Sequence, residues 1–136
     1  MTRSEMREQI FRLLFCIEFY PEGEWSEQLI YLADDEDDAK ADTASQKDID
    51  YIQTKAAAAA VLADEIDDRI NAVAKGWKTK RMGKVELAII RLAVYEIEYD
   101  DDIPTGVAIN EAVELAKRYG TEDAPSFVNG ILAKIV

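Results

Sequence analysis

VELAIIRLAVYEIEY, at residues 85–99, is the most apolar segment of the chain. On a helical wheel its apolar side chains point in nearly every direction, and only Lys84, Arg91 and Glu98 form a clear polar stripe. A helix that is apolar on nearly all sides is stable only when other elements cover it. We therefore predict a helix over residues 84–98 at the centre of the fold.

The helical pattern continues on the C-terminal side of this segment. After an acidic loop at 99–103, Pro104 is expected to open the next helix and Gly120 to stop it, as proline and glycine commonly do at those ends. A last helix is predicted from about 125 to 135, with Asp123 placed to cap its first turn.

The N-terminal side is helical in pattern as well. Three further helical segments are predicted, at 3–20, 26–33 and 45–74. DDEDD at 34–38 should be a solvated loop because its like charges repel. A second acidic run, from Asp64 to Asp68, is expected to divide the longest segment into two helices. Residues 76–82 form a predicted connector with Trp77 as its apolar anchor.

Helix follows helix, and no segment shows the two-residue alternation of a half-buried strand. The predicted fold class is therefore all-α, and a chain of 136 residues is long enough to build one well-packed domain. One arrangement that fits the pattern is two three-helix layers that share the helix at 84–98.

The composition disfavours catalysis. The chain has no histidine, which removes the commonest general base and the commonest transition-metal ligand. Cys16 is the only cysteine, so it cannot form a disulfide within the chain. No glycine-rich phosphate loop is present. We therefore predict a protein that is not an enzyme and that uses no metal or cofactor.

The sequence also predicts a cytoplasmic location without membrane association. No apolar run approaches the length that is needed to span a bilayer. The opening residues, MTRSEMREQIF, lack the continuous apolar core of a secretory signal.

The acidic charge is concentrated in the middle of the chain. The net charge is −12, which by itself argues against a nucleic-acid partner. Residues 22–74 carry 15 acidic and four basic side chains, whereas residues 1–21 are neutral overall and residues 75–136 have a net charge of −1. The two ends are therefore expected to form a surface that a phosphate backbone can approach.

Three blocks in the C-terminal half and one near the start resemble the NusB family of transcription antitermination proteins. The blocks are VELAIIRLAVYEIEY at 85–99, IPTGVAINEAVELAKRYGTED at 103–123, FVNGIL at 127–132 and MREQIFRLLF at 6–15. The resemblance implies an all-α fold of about seven helices in a single domain, 1–136. It also implies an N-terminal subdomain at 1–75 and a C-terminal subdomain at 76–136.

The resemblance further implies a function in transcription regulation. Members of the family bind boxA, a single-stranded RNA element in the leaders of ribosomal RNA transcripts. They bind it together with a small-subunit ribosomal protein, NusE, and the complex joins the RNA polymerase elongation complex with other Nus factors. The implied function here is therefore an RNA-binding antitermination factor.

The first predicted helix carries the first group of candidate RNA contacts. Arg3, Arg7 and Arg12 are phosphate candidates, although Glu5 and Glu8 dilute this cluster. Phenylalanines recur at positions 11, 15 and 19, on the side of the helical wheel that carries Glu8 and Arg12 and away from the main apolar stripe. The resemblance places Phe15 near RNA, where an aromatic ring can stack on a base. Packing against another helix and intrahelical ion pairs remain the alternatives.

The C-terminal half carries the second group. Its densest basic run includes Lys80, Arg81 and Lys84, which are candidate phosphate contacts unless the run is only a soluble connector. The resemblance also places three residues of other kinds near RNA: Glu86, Tyr119 and Asp123. A structural ion pair, a tyrosine at the edge of the core and a helix cap are the respective alternatives.

Four polar or small residues belong to the recognisable blocks without an obvious RNA role: Asn110, Glu111, Asn129 and Gly130. We interpret them as structural, through hydrogen bonds and close helix packing. Two other functions remain open for the whole chain. One is a helical protein-interaction scaffold with lost or weak RNA binding, and the other is a helical subunit of an RNA-modifying enzyme.

Overall fold

The computed structural model describes residues 1–34 and 45–136. The α-helices in these ranges are α1 (Arg3–Ile17), α2 (Trp25–Asp34), α3 (Gln46–Val61), α4 (Ala63–Val73), α5 (Lys84–Tyr99), α6 (Thr105–Tyr119) and α7 (Ala124–Ile135). Short 3₁₀ turns lie at Glu22–Glu24 and Thr79–Arg81. The prediction of an all-α fold with about seven helices is confirmed. Asp34 ends α2, and the rest of the predicted acidic loop lies outside the described residues.

The first compact unit, Met1–Val61, contains α1, α2 and α3, and each of these helices packs against the other two. Its core includes Ile10 and Ile17, which are at most 1% exposed. Ala56 and Ala59 are buried on α3, where their small side chains allow close approach of a neighbouring backbone. The predicted first helix ends at Ile17, three residues early.

Two polar contacts fix the start of α1. Thr2 and Glu5 form a capping box, in which the Thr2 Oγ1 accepts from the Glu5 amide at 3.1 Å and the Glu5 Oε1 accepts from the Thr2 amide at 2.9 Å. The Met1 amino group donates to the Asp48 Oδ2 at 3.1 Å. This hydrogen bond holds the pKa of Asp48 below its ordinary value.

The second unit, Leu62–Val136, is built around α5, which packs against α4, α6 and α7. Leu87, Ile89, Ile90 and Leu92 are each at most 2% exposed. Burial of one such side chain contributes roughly 1.5–3 kcal/mol, so α5 supplies a large share of the apolar driving force. The central position that we predicted for this helix is confirmed within the second unit.

Two arginines connect the helices of the second unit. Arg91 on α5 forms a bidentate ion pair with Asp67 on α4, with Nε–Oδ1 and Nη2–Oδ2 distances of 2.8 and 2.6 Å. Arg69 on α4 donates to the Glu98 Oε1 at 3.0 Å and to the Ile135 carbonyl oxygen at 2.9 Å. The second contact satisfies a carbonyl at the C-terminus of α7 that has no partner within its own helix.

The structure corrects the predicted boundaries in the middle of the chain. The break in the segment 45–74 falls at Leu62, before the acidic run. Asp64 and Glu65 instead occupy the first turn of α4, where the helix dipole favours negative charge. The two compact units also meet at 61/62 and not at 75/76, because α4 packs on α5 and α7. The described helices therefore form groups of three and four, in place of two three-helix layers.

Among the described residues, no helix combines the length and the apolar character that crossing a bilayer requires.

Candidate nucleic-acid interface

The residues from Lys75 to Lys84, which we call the basic segment, present their cations to solvent. The segment contains five basic side chains, all exposed, at Lys75, Lys78, Lys80, Arg81 and Lys84. It contains no acidic residue. Two side chains of the segment are buried: Thr79 is 7% exposed and Met82 is 6% exposed. The alternation of buried anchors and exposed cations makes this segment a positively charged surface in a strongly acidic protein.

Asn71 on α4 fixes the middle of the basic segment. Its Oδ1 accepts from the Thr79 amide at 2.8 Å, and its Nδ2 donates to the Thr79 Oγ1 at 3.3 Å. The Asn71 carbonyl oxygen also accepts from the Lys78 Nζ at 3.4 Å. Gly76 has a φ of 84°, a left-handed conformation that favours glycine, and it turns the chain after α4. Sequence reasoning missed the role of Asn71.

Trp77, which we predicted to be the apolar anchor of the connector, is too exposed for that role. Its side chain is 58% exposed. Its ring and that of Phe127 on α7 form an edge-to-face contact, with ring centroids 6.3 Å apart and planes inclined by 73°. The anchoring function belongs to Thr79 and Met82, whose side chains are buried. The segment therefore presents an aromatic ring as well as cations.

Glu86 links the start of α5 to the turn between α6 and α7. Its carboxylate lies against Gly83, and its Oε1 is 3.5 Å from the place where a Cβ on Gly120 would sit. Tyr119 precedes this glycine and is half-buried, and Asp123 follows it and is exposed. The fold thus brings Glu86, two residues after the start of α5 at Lys84, close to Gly120, the residue that lies between Tyr119 and Asp123 in the chain.

Two details of this turn differ from the sequence prediction. Asp123 occupies the N-cap position of α7, but its side chain makes no capping hydrogen bond. Gly120 stops α6 as predicted, but with extended backbone angles, φ −92° and ψ 179°. Glycine is needed here for space, because a Cβ would collide with the Ala124 Cβ and lie 2.9 Å from the Ala116 carbonyl oxygen.

We expect Gly120→Ala to lower the free energy of unfolding by about 1–3 kcal/mol, the usual cost of overpacking. Gly130→Ala is the matched control, because a Cβ at Gly130 would meet nothing within 4 Å and α7 is helical there. That change should raise stability by roughly 0.5–1 kcal/mol. Urea unfolding of the two variants measures both effects. Equal effects of the same sign would contradict this account of Gly120.

We assigned a packing role to four polar or small residues of the sequence blocks, and this role is wrong for three of them. Asn110, Asn129 and Gly130 are exposed, and Glu111 is half-buried. Asn110 and Asn129 line an open cleft between α6 and α7. The absence of any atom near a Cβ built on Gly130 rules out close packing as the reason for this glycine.

The three phenylalanines of α1 and the turn after it form a row of contacting rings that runs from the core to solvent. Phe11 is 3% exposed, Phe15 is half-buried and Phe19 is 67% exposed. Phe15 contacts both of the others, with centroid distances of 6.4 Å to Phe11 and 5.4 Å to Phe19. Core packing therefore accounts for Phe11, whereas Phe15 and Phe19 keep ring surface that is open to a ligand.

The arginines of α1 are not equivalent. Arg3 is exposed, Arg12 keeps a side-chain exposure of 41%, and Arg7 is only 5% exposed. Arg12 lies 3.6 Å from the Glu8 carboxylate, which is the intrahelical ion pair that we considered as an alternative. Burial argues against Arg7 as a phosphate contact and leaves Arg3 and Arg12 as the accessible cations.

The candidate contacts thus form one group in each unit. The first is on α1, and the second combines the basic segment with the region around Glu86 and Gly120. That both groups belong to a single surface stays a prediction.

The chain is a small all-α protein. In the ranges that the structure describes, a unit with three α-helices precedes a unit with four, which is built around an apolar central helix. The model of the NusB family matches residues 4–136. The chain belongs to the NusB family, as its sequence blocks suggested.

Relatives and solved structures agree with this assignment. The transcription antitermination protein NusB of Agathobacter rectalis is 49% identical over 134 residues, which is 98% of each chain. That of Lachnoclostridium phytofermentans is 43% identical over 136 residues, with 100% of this chain and 99% of the relative covered. The structure of T. maritima NusB matches with a TM-score of 0.85 and 34% identity, over 99% of this chain and 90% of that one.

Proposed function

We propose that this protein is a non-catalytic transcription antitermination factor that binds boxA-like single-stranded RNA of ribosomal RNA leaders. It binds the RNA together with the ribosomal protein NusE and acts in the cytoplasm, on the RNA polymerase elongation complex with other Nus factors. Membership of a family whose relatives are named transcription antitermination proteins supports the general function. The RNA, its partner protein and the contacting residues are our proposal.

The observation that carries the RNA proposal is the basic segment. Five exposed cations without an intervening acid are unusual in a chain of net charge −12. Lys80 and Arg81 belong to a 3₁₀ turn that Asn71 holds in place. The backbone that carries them is therefore already ordered in the free protein, which lowers the entropic cost of binding. In the proposal, Lys80, Arg81 and Lys84 contact phosphates.

The remaining contacts in the second unit read bases. The Asp123 carboxylate makes no capping hydrogen bond to α7, so it can accept a hydrogen bond from a base amino group. Glu86 lies beside the same turn and is assigned a similar role. Tyr119 provides an aromatic side chain at the end of α6.

The contacts on α1 add stacking and charge. Phe15 is the stacking residue, and its neighbours Phe11 and Phe19 limit the positions that its ring can take. Arg3 and Arg12 supply positive charge, whereas Arg7 is assigned a structural position because of its burial. Two accessible arginines supply little positive charge. Shared binding with a protein partner compensates for this, because the protein and its partner then order the RNA together.

A titration of labelled boxA-like RNA, with and without purified NusE and at several salt concentrations, tests the proposal. We expect sequence-selective binding that NusE strengthens and that weakens steadily as salt rises. An RNA of equal length with scrambled sequence is the control. Equal binding of the two RNAs in the presence of NusE, or binding of neither, would end the proposal.

A helical protein-interaction scaffold is the second candidate, favoured by the burial of Arg7 and by the contact of Arg12 with Glu8. It predicts that NusE binding is present, that no RNA shift occurs, and that replacement of Arg7, Phe15 and Lys84 leaves partner binding intact. The same titration separates the two functions.

A further inference from the structure

We propose that Trp77 is a base-stacking platform of the RNA site, a role that extends the proposed function and rests on it. A tryptophan that is 58% exposed lies inside the basic segment, between Lys75 and Lys78. Cations that attract a phosphate backbone, together with an open aromatic face, are the combination by which proteins hold single-stranded nucleic acid.

The structure gives this indole a defined orientation. Phe127 meets Trp77 edge to face at 6.3 Å between centroids and is itself half-buried on α7. Such a contact restricts the ring, so a base that stacks on it does so at a smaller cost in side-chain entropy. The turn at Gly76 and the hydrogen bond from the Thr79 amide to the Asn71 Oδ1 hold the backbone on either side of Trp77.

The platform also adjoins the proposed base-reading region. Phe127 lies four residues after Asp123, and side chains four apart share one side of a helix. A strand whose bases meet Glu86 and Asp123 therefore reaches the Trp77–Phe127 pair without leaving the second unit. The charge of the segment favours RNA here over a basic protein, because five cations would repel the latter.

Two tryptophans make a direct test possible, since Trp25 is 7% exposed and donates through its Nε1 to the Tyr20 carbonyl oxygen. Trp25→Phe leaves Trp77 as the only indole, and Trp77→Phe leaves Trp25. Single-stranded boxA-like RNA should quench the fluorescence of the first variant and leave that of the second unchanged. A duplex of the same sequence, whose bases are already stacked, should quench neither.

Trp77→Leu provides the affinity test, because leucine keeps apolar contact with Phe127 but has no aromatic face. We expect RNA affinity to fall roughly five- to 150-fold, the effect of one stacked base, with an unchanged salt slope. Trp77→Phe should lose less. Circular dichroism and thermal unfolding of each variant show whether the fold is kept.

The outcomes distinguish this inference from the proposed function. If the wild-type protein binds RNA but Trp77→Leu binds equally well and Trp77 fluorescence is unchanged, the stacking role is wrong and the proposed function stands. If Trp77→Leu loses NusE and keeps RNA, the residue is a protein contact and the inference fails. If the wild type binds no RNA, both proposals fail together.

Discussion

Replacing Arg91 with alanine should lower the free energy of unfolding by about 3 kcal/mol, near the lower end of the cost of breaking a buried ion pair. Arg91 and Asp67 retain side-chain exposures of only 12% and 21%, and both guanidinium–carboxylate hydrogen bonds are short. The alanine variant leaves the Asp67 charge partly buried without its cation. The loss of a bidentate, partly buried pairing of opposite charges, and not the loss of a surface contact, is the main cost.

Arg91 keeps its charge under ordinary conditions. Burial lowers the pKa of Arg91 to about 10, which still leaves the guanidinium protonated at neutral pH. A double-mutant cycle with Asp67→Ala should therefore show favourable coupling at pH 7. The double variant should also recover part of the stability that Arg91→Ala loses, because no charge is then stranded. Additive losses in the cycle would contradict this account of the pair.

The ion pair between Lys117 and Glu114 is the matched control for Arg91. Its atoms are 3.2 Å apart, but the two side chains are 59% and 63% exposed. Solvent screens such a pair, so Lys117→Ala should change stability by less than about 0.5 kcal/mol. Urea unfolding measured for both variants under the same conditions gives the comparison. A similar loss in both would show that burial is not what makes the Arg91 pair important.

The helices were predictable because each buries a face that recurs with helical period. The apolar segment at 85–99 needs cover on nearly every side, and its position inside the second unit follows from that requirement. Gly120 was correctly placed at a helix end, but its reason is a tertiary contact with Ala124. The identity of that neighbour depends on how α6 and α7 pack, which periodicity does not contain.

The break between α3 and α4 shows a different limit of sequence reasoning. Acidic residues indicate that a helix terminus is near, but they favour the first turn inside a helix over the break itself. Asp64 and Glu65 follow this rule, so the break at Leu62 precedes them. The unit boundary was misplaced for a related reason: which unit holds α4 depends on its packing against α5 and α7.

The candidate site was predictable in residue type and less so in exposure. Arg3 and Arg7 are four apart on α1, yet the first is exposed and the second is buried. The exposed position of Trp77 was missed, because an aromatic residue in a connector usually serves as an anchor. The Asn71 side chain accepts a hydrogen bond from the Thr79 amide, eight residues later, and no local sequence pattern predicts such a contact.

The triple change Lys80→Ala, Arg81→Ala and Lys84→Ala should weaken RNA binding by about a hundredfold, at about 1 kcal/mol for each exposed charge contact. It should also reduce the salt slope by about 2, because each phosphate neutralised on a single strand contributes about 0.7. Stability should change little, because all three side chains are exposed and alanine suits the first position of α5.

Removing Lys117 and Lys134 together with Arg118 is the control for total charge, because these three exposed cations lie on α6 and α7, outside the basic segment. Both triple variants have the same net charge, so a general electrostatic attraction would weaken their RNA binding equally. A specific phosphate path predicts a change of salt slope in the basic-segment variant alone. Identical slopes in the two variants, both lower than that of the wild type, would show that RNA senses the overall charge and not a defined site.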